Sequence, residues 1–300
     1  MNALDLMSQT NYYTNIKGVE VLVDNINERL KILVDSHLSG SVVADITSFA
    51  RAAGLGKVIA NCRSKHLLSF KNCGFQLEGM INGYFKGEDA YCISFFIDRQ
   101  RAVPADQAAA NTILHRCVVE HKRIAGRRCH PYTIRNAEQA DIPQMIQLFA
   151  SVFATYPSPV FSSDYLHKVI NAQVLFKVAV EEGQIISIAS ADMDKFNLVA
   201  EITDCATYPE HRGRGILPNL ILELEHDLQR TGFLNLYSLS RAINPGINQA
   251  FAKLGYTYRG RLVNNCHICG SFEDMNIWVK SINPGGIQCK TRLVTVQVEL

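Results

Sequence analysis

The sequence lacks an excess of either charge and lacks any long apolar run. Its 300 residues carry 30 basic and 28 acidic side chains, giving a formal net charge of +2 without long runs of like charge. Nucleic-acid-binding domains usually show a basic excess, so we expect no nucleic-acid partner. No stretch approaches the roughly 18 apolar residues that a membrane-spanning helix requires, so we also expect no membrane segment.

Other absences bear on compartment and chemistry. Residues 1–18 have no basic region followed by an apolar core, so we expect no signal peptide. The nine cysteines are odd in number and scattered, which favours reduced thiols in a cytoplasmic protein. Cys266 and Cys269 have no second Cys or His pair at zinc spacing, so we expect no metal site.

The segment at residues 199–231 organises the interpretation of the chain. Glu201 and Thr203 alternate with apolar Ile202 in the period of a strand, which Pro209 should end. Apolar residues then recur at helical spacing, which predicts a long amphipathic helix with Gly232 at its end. These are Leu217, Leu220, Ile221, Leu224 and Leu228.

The turn between this strand and helix carries the chemistry. It reads Arg212-Gly213-Arg214-Gly215. The first N–H groups of a helix have no internal partners, and glycines let the backbone approach an anion. The turn therefore favours a phosphate or pyrophosphate site. An ordinary exposed turn with basic residues has the same composition, so the turn alone leaves both interpretations open.

The turn resembles the acetyl-CoA signature of the GNAT acetyltransferase superfamily, in which Arg or Gln is followed by spaced glycines. Arg212 and Gly215 fit that pattern, whereas Leu217 stands where a small residue is usual. The resemblance implies that backbone amides of about 213–217 hold the pyrophosphate of coenzyme A. It also implies an oxyanion contact from a backbone N–H near Ala206 or Thr207.

A second segment, residues 248–256, resembles the later helix-to-strand segment of the same superfamily. There Asn248 corresponds to a residue that often touches the pantetheine arm, and Phe251 replaces the Tyr that protonates the leaving thiolate in many relatives. The cofactor-binding residues implied by the resemblance are Ala206, Thr207, Arg212, Gly213, Arg214, Gly215, Leu217 and Asn248.

This interpretation divides the whole chain into three parts. We expect an amino-terminal α/β accessory domain with a linker helix at 1–130, a GNAT domain at 131–282 and a tail at 283–300. Phe70, Gly74 and Gly79 precede Phe251, Gly255 and Gly260 by 181 residues each. This spacing makes the first domain a candidate degenerate partial repeat of the second, although chance similarity explains it equally well.

The acceptor side needs a base, because an alkyl ammonium has a pKa near 10.4 and attacks only when neutral. Glu201 stands where several superfamily members carry such a base, and a strand-surface carboxylate is the alternative. Simple alternation places Asp204 on the other face of the strand, where it is a candidate to bind a cationic substrate or to brace the turn. The loop at 154–163, with Tyr156, corresponds to the acceptor pocket.

The distal strands resemble those of β-lysine N6-acetyltransferases, as do residues 201–207, Tyr156-Pro157 and residues 79–91. That family makes N6-acetyl-β-lysine, a compatible solute, from acetyl-CoA and 3,6-diaminohexanoate. The resemblance makes four polar residues candidates for the amino-acid head group: Asn264, Asn265, Glu273 and Asn276. The alternative, that each of them satisfies a strand end or a turn, is slightly favoured for any single residue.

The sequence thus predicts an α+β protein with a mixed, mostly antiparallel GNAT-type sheet flanked by helices. We expect direct acetyl transfer from acetyl-CoA to a small amine in a ternary complex, with β-lysine as the acceptor and Glu201 and Asp204 as catalytic residues. Two alternatives remain: an acetyltransferase for another amine, such as a polyamine or a protein lysine, and a non-catalytic acyl-CoA sensor. The oligomeric state is open.

Overall fold

A computed structural model describes residues 11–33, 36–119 and 131–282. The strands of these residues join into one 13-stranded sheet. Its order is β1-β2-β3-β4-β6-β5-β12-β13-β11-β10-β9-β8-β7. The sheet is mixed and mostly antiparallel with helices against it, so the predicted fold class is confirmed.

The amino-terminal half contributes six strands and three helices within the described ranges. The strands are β1 (Tyr12–Ile16), β2 (Val19–Asp24), β3 (Arg29–Ile32), β4 (Lys57–Cys62), β5 (Gln76–Phe85) and β6 (Glu88–Phe96). The helices are α1 (Gly40–Ala52), α2 (Ser64–Asn72) and α3 (Gln107–Val119). A short 3-10 turn at Gln100–Ala102 precedes α3.

The carboxyl-terminal half supplies the remaining elements. The strands are β7 (Thr133–Asn136), β8 (Val174–Glu181), β9 (Gln184–Asp194), β10 (Val199–Thr207), β11 (Asn235–Arg241), β12 (Thr257–Ile268) and β13 (Ser271–Ser281). The helices are α4 (Ile142–Val152), α5 (Ser163–Val169), α6 (Ile216–Arg230) and α7 (Pro245–Lys253). Further 3-10 turns cover Gln139–Asp141 and Pro209–His211.

Two helical layers sandwich the sheet of this half. Helices α6 and α7 pack on one face, through Leu220 and Phe251 against Ile202. Helices α4 and α5 pack on the other face, where Phe149 and Ala206 belong to a separate core. Because Ile202 and Ala206 lie on β10 yet face different cores, that strand must change its facing between them.

The two halves meet at a close approach of β5 and β12. Gly79 and Gly260 are register partners there. A Cβ on Gly260 would collide with the carbonyl oxygen of Glu78 and with the Cα of Gly79. A Cβ on Gly79 would lie 2.9 Å from the Cα of Gly260. Glycine at both positions therefore allows the backbones to touch.

Three cations of the first half strengthen this junction by donating to successive carbonyls of β12. Lys57 Nζ lies 2.7 Å from the carbonyl oxygen of Val263, and Arg29 Nη1 lies 2.7 Å from that of Asn265. Arg101 Nε donates to the carbonyl between them at 3.1 Å. These carbonyls lie where β12 slips register against β13, so side chains replace the missing ladder bonds.

Two local predictions from the sequence differ from the structure. Asp141 precedes an apolar helical period, which predicts a cap for α4, but its carboxylate accepts from the Glu138 N–H at 2.8 Å and pairs with Arg135 at 2.6 Å instead. Helix-forming residues predict a helix at 102–123, but the helix begins at Gln107, because Pro104 favours extended backbone at Val103. Residues 120–123 and the tail at 283–300 lie outside the described residues.

Candidate active site

The strands β10 and β11 pair in parallel at Val199–Glu201 with Asn235–Tyr237, and no pairing between them follows within the described chain. A cavity of about 660 Å³ opens beyond that point. The end of β10, the turn before α6, the end of β11, the start of α7 and the loop with Tyr156 line it. The cavity therefore lies at the separation of two parallel strands, where ligands of α/β sheets commonly bind.

A bulge in β10 changes the expected facing of Asp204. The register against β9 slips between Thr203 and Ala206, and Asp204 has φ +46°. Its carboxylate accepts from Ser190 Oγ at 2.8 Å, on the α4 and α5 side of the sheet. Glu201, next to Ile202 of the opposite core, faces that same side. The predicted separation of Glu201 and Asp204 onto opposite faces is wrong, because simple alternation does not hold through a bulge.

The glycine turn before α6 has the geometry that an anion needs. Gly213 and Gly215 have φ of +76° and +75°, a left-handed conformation that glycine adopts without strain. No heavy atom lies within 4 Å of a Cβ built on either residue, so the approach is open. Gly215 is the N-cap of α6 and no side chain caps the helix. The residues present therefore fit the diphosphate of a nucleotide co-substrate.

The two arginines of the turn differ in their surroundings. Arg212 is exposed at the cavity and its Nε donates to the carbonyl of Thr207 at 3.2 Å. Arg214 instead forms a bidentate pair with Glu181 on β8, at 2.6 and 2.9 Å. The hydrogen bonds from Arg214 lower the pKa of Glu181. Arg212 is thus available to a ligand, whereas Arg214 braces the turn against the sheet.

The remaining cofactor candidates occupy different depths. Thr207 and Leu217 line the cavity. Ala206 is buried, and its carbonyl accepts from Ser187 Oγ at 3.0 Å. Asn248 is fully buried and its side chain donates to two carbonyls, those of Arg241 at 2.8 Å and Asn244 at 2.7 Å.

The side-chain oxygen of Asn248 is also occupied. It accepts from Ser240 Oγ at 2.8 Å, from Asn276 Nδ2 at 2.9 Å and from Trp278 Nε1 at 2.9 Å. Asn276 is itself fully buried and accepts from Arg261 Nε at 2.8 Å. Asn248 and Asn276 therefore hold α7 against β11 and β13.

Two carboxyl groups on the side of the sheet that α4 and α5 cover have raised pKa values. Burial raises the pKa of Glu201 to about 7, against a hydrogen bond from Tyr237. Burial raises the pKa of Asp204 to about 6, against hydrogen bonds from Ser190 and Tyr156. A carboxyl group that titrates near neutral pH can accept a proton from a substrate under physiological conditions.

The predicted acceptor residues are not brought together. Tyr156 lines the cavity beside Phe153, with ring centroids 4.3 Å apart. Glu273 is buried and pairs with Arg241 at 2.6 Å. Asn264 donates to the carbonyls of Arg101 at 3.0 Å and Val103 at 2.9 Å, within the junction of the two halves.

Asn265 also lies in that junction. It is buried, and its Nδ2 contacts Cys266 Sγ at 3.5 Å. Of the predicted acceptor residues, Tyr156 alone lines the cavity. Asn264 and Asn265 lie in the junction of the halves, whereas Glu273 and Asn276 make their contacts within the carboxyl-terminal half.

Residues from the amino-terminal half that the sequence analysis missed lie near Glu201. The ring of Tyr84, from β5, is 5.9 Å from that of Tyr237, and Tyr84 hydrogen-bonds Asn61. The charge of Lys31, on β3, acts on the Glu201 carboxyl. These residues come from three separate strands, so no local pattern joins them. Among the described residues, no three His, Cys, Asp or Glu side chains group as a metal site would require.

Comparison with known proteins identifies the class of protein to which this fold and cavity belong. A family model described as acetyltransferase (GNAT) domain matches residues 133–243. The Beta-lysine N(6)-acetyltransferase of Methanosarcina mazei is 34% identical over 80% of this chain and 97% of its own length. The chain belongs to the GNAT acetyltransferase family and is an N-acetyltransferase.

Two further relatives match over most of their lengths. The N-acetyltransferase YodP of Bacillus subtilis is 30% identical over 88% of this chain and 97% of its own length. The Beta-lysine N(6)-acetyltransferase of Methanococcus maripaludis is 28% identical over 87% of this chain and 95% of its own length. These matches extend well outside residues 133–243, so the likeness includes the amino-terminal half. No helix among the described residues is long and apolar enough to cross a membrane.

Proposed function

We propose that this enzyme transfers the acetyl group of acetyl-CoA to the N6 amine of β-lysine, giving N6-acetyl-β-lysine. The main support for this proposal is the carboxyl group of Glu201, which has a pKa of about 7 and lies on the strand that borders the cavity. The names of two relatives support β-lysine as the acceptor. We further propose that the reaction is cytoplasmic and that the product serves as a compatible solute.

The glycine turn would hold the diphosphate of acetyl-CoA, which supplies the acetyl thioester. The backbone N–H groups at 213–217, at the uncapped start of α6, would donate to the diphosphate, and the exposed Arg212 would add positive charge. Leu217 and the start of α7 would flank the pantetheine arm, since both line the cavity. Arg214 would keep the turn in place through Glu181.

Glu201 would accept the proton of the incoming ammonium. A free alkyl ammonium has a pKa near 10.4, so at neutral pH nearly all of the acceptor is protonated. A neighbouring base that titrates near 7 can remove that proton as the C–N bond forms. Asp204, on the same side, would add negative charge that attracts the cationic amine and would hold Tyr156 in the acceptor wall.

Direct transfer is supported by the state of Cys205. Burial raises the pKa of this thiol well above its ordinary value, and the nearby Asp204 charge raises it further. The nucleophile in thiol chemistry is the thiolate, so Cys205 is poorly suited to form an acyl-enzyme. Backbone N–H groups near Ala206 or Thr207 would stabilise the oxyanion.

Phe251 stands where many relatives carry a Tyr that protonates the leaving thiolate. Its side chain cannot donate a proton and is fully buried in the core of α6 and α7, so the thiolate must be protonated in another way. A thiol has a pKa near 8.5, so its thiolate leaves readily and can take its proton from water.

A panel of amines assayed with acetyl-CoA tests the proposal. It should contain β-lysine, lysine, polyamines and a lysine peptide, with thiol release and acetylated product both measured. We expect the highest kcat/KM with β-lysine. A higher kcat/KM for another amine would refute the acceptor, and coenzyme A binding without thiol release over any amine would identify an acyl-CoA sensor instead.

A further inference from the structure

The amino-terminal half directs a row of cations toward the carboxyl-terminal half. Arg29 and Lys31 share one face of β3, opposite the buried Leu30 and Ile32, and Arg29 pairs in register with Lys57 of β4. Arg29 and Lys57 are fully used: they donate to carbonyls of β12 and pair with Asp24 and Glu78, each at 2.8 Å.

Lys31, unlike Arg29 and Lys57, makes no hydrogen bond or ion pair to the described residues across the junction of the two halves. No carboxylate of the described residues lies within 4.0 Å of its Nζ, and it donates no hydrogen bond to them. Arg241, the cation of β11 at the cavity, is neutralised by Glu273 at 2.6 Å. The charge of Lys31 acts on the carboxyls of Asp192 and Glu201, but no direct ion pair among the described residues occupies its ammonium, which keeps its hydrogens for a further anion.

Lys31 lies on the side of the proposed base. Asn61 of β4, the neighbour of β3, hydrogen-bonds Tyr84, whose ring is 5.9 Å from that of Tyr237. Tyr237 in turn pairs in register with Glu201 and hydrogen-bonds its carboxyl. Burial raises the pKa of Glu201, and the Lys31 charge opposes that rise, so the two groups are electrostatic neighbours.

The same group of side chains is continuous with the cavity. Tyr84, Tyr237 and Leu239 pack on the core that contains Ile268 and Met275. Leu239, Ile268 and Met275 also line the cavity. An acceptor that reaches Glu201 therefore meets side chains of both halves.

We propose that Lys31 binds the carboxylate of the acceptor, so that the amino-terminal half selects an amino acid over a diamine that lacks a carboxylate. The inference rests on the proposed function, since it concerns the same acceptor site. β-Lysine carries its carboxylate and its reacting amine at opposite ends, so a molecule whose amine reaches Glu201 needs a second group for its carboxylate. Lys31, whose charge acts on Glu201, is a cation without an ion pair among the described residues. A charge-assisted hydrogen bond from Lys31 would favour the amino acid.

Substitution of Lys31→Met separates this role from others. We would measure kcat/KM for β-lysine and for 1,4-diaminopentane, the same molecule with hydrogen in place of the carboxylate. The wild type should prefer β-lysine, and K31M should lose roughly 10- to 100-fold on β-lysine with little change on the diamine. Lys31→Arg should retain much of the preference. Lys71→Met, on an exposed position of α2, is the matched control and should change neither value.

Three outcomes would overturn the inference. An equal loss on both acceptors would mean that Lys31 only adjusts the ionisation of Glu201. An unchanged kcat/KM for β-lysine in K31M would mean that another group binds the carboxylate. Failure of the wild type to prefer β-lysine over 1,4-diaminopentane, while it turns β-lysine over, would mean that no carboxylate is recognised.

Failure of the proposed function gives a different result. If β-lysine is not acetylated but lysine is, the acceptor proposal fails, and lysine against 1,5-diaminopentane then tests Lys31 in the same way. If no amine is acetylated, calorimetry with β-lysine and coenzyme A decides: we expect K31M to weaken β-lysine binding, and the absence of wild-type binding would overturn the inference.

Discussion

Replacing Glu201 with Gln should reduce activity and increase stability at the same time. The carboxyl pKa rises from 4.5 to about 7 because the folded protein buries the group. The folded state therefore holds this proton more tightly than the unfolded chain, and the carboxyl destabilises the fold increasingly as pH rises from about 4.5 through 7. A shift of this size corresponds to up to roughly 3 kcal/mol, less where water reaches the group.

The expected stability result follows from that sign. Above pH 7, Glu201→Gln should raise the free energy of unfolding by as much as about 3 kcal/mol, whereas below about pH 4.5 the two proteins should be equal. Urea unfolding at pH 5 and pH 8, followed by far-UV circular dichroism, measures the difference. Glu20→Gln, on an exposed position of β2, removes the same charge and should leave stability unchanged.

The activity result comes from the loss of the base. General base catalysis contributes about 100- to 10,000-fold, so kcat/KM should fall by at least about 100-fold at pH 7.5. In the wild type, kcat/KM should rise with an inflection near pH 7. In the variant that inflection should vanish, and the rise from ionisation of the amine itself should remain. A variant that keeps a tenth of the activity and the wild-type profile would refute the role of Glu201.

Three further predictions concern other parts of the site. Arg212→Glu should raise KM for acetyl-CoA at least about tenfold by charge reversal, and wild-type coenzyme A affinity by calorimetry would refute its role. Gly215→Val should weaken the binding of coenzyme A by a similar factor, because the positive φ of this position costs a β-branched residue about 1–3 kcal/mol. An unchanged Kd for coenzyme A would contradict this. Lys57→Met should destabilise the fold by about 3–5 kcal/mol in urea, and adding Glu78→Met should recover most of that loss; a stable single variant would show that the pair contributes little.

The carboxyl-terminal half was largely predictable because its signals are local. The strand, glycine turn and helix at 199–231 follow from alternation, two glycines and a helical apolar period, each read within a few residues. The mixed, mostly antiparallel fold was also confirmed, but that prediction came from the resemblance to the GNAT superfamily and not from local patterns. The position of Gly213 and Gly215 at left-handed φ is also a local property of the chain.

The features that the sequence did not reveal depend on distant strands. The bulge that brings Asp204 to the side of Glu201 is visible only in the register with β9. The polar residues of β12 resemble a head-group site in sequence, yet Asn264 donates to carbonyls near Arg101, more than 160 residues away in the chain. No pattern within β3 distinguishes Lys31 from Arg29. The difference is that Arg29 donates to a carbonyl of β12, whereas Lys31 makes no such hydrogen bond with the described residues.

The sheet order supports the proposal that the amino-terminal half is a degenerate repeat. From the contact of Gly79 with Gly260, the order outward is β5, β6, β4, β3, β2, β1 on one side and β12, β13, β11, β10, β9, β8 on the other. On each side the one parallel pair of described strands occupies the same place, β3 with β4 and β10 with β11.

The two halves differ where the helix after the outer parallel strand begins. In the carboxyl-terminal half that helix starts at Gly215 with no side-chain cap. In the amino-terminal half it starts after Ser39, whose Oγ accepts from the Val42 N–H at 3.4 Å. A serine cap occupies an N–H that a phosphate would otherwise use, and it places a side chain where the glycine turn leaves open space. The proposed coenzyme A site therefore lies at Gly215 rather than at Ser39, and under the proposals above the face that the first half presents to Glu201 would recognise the acceptor.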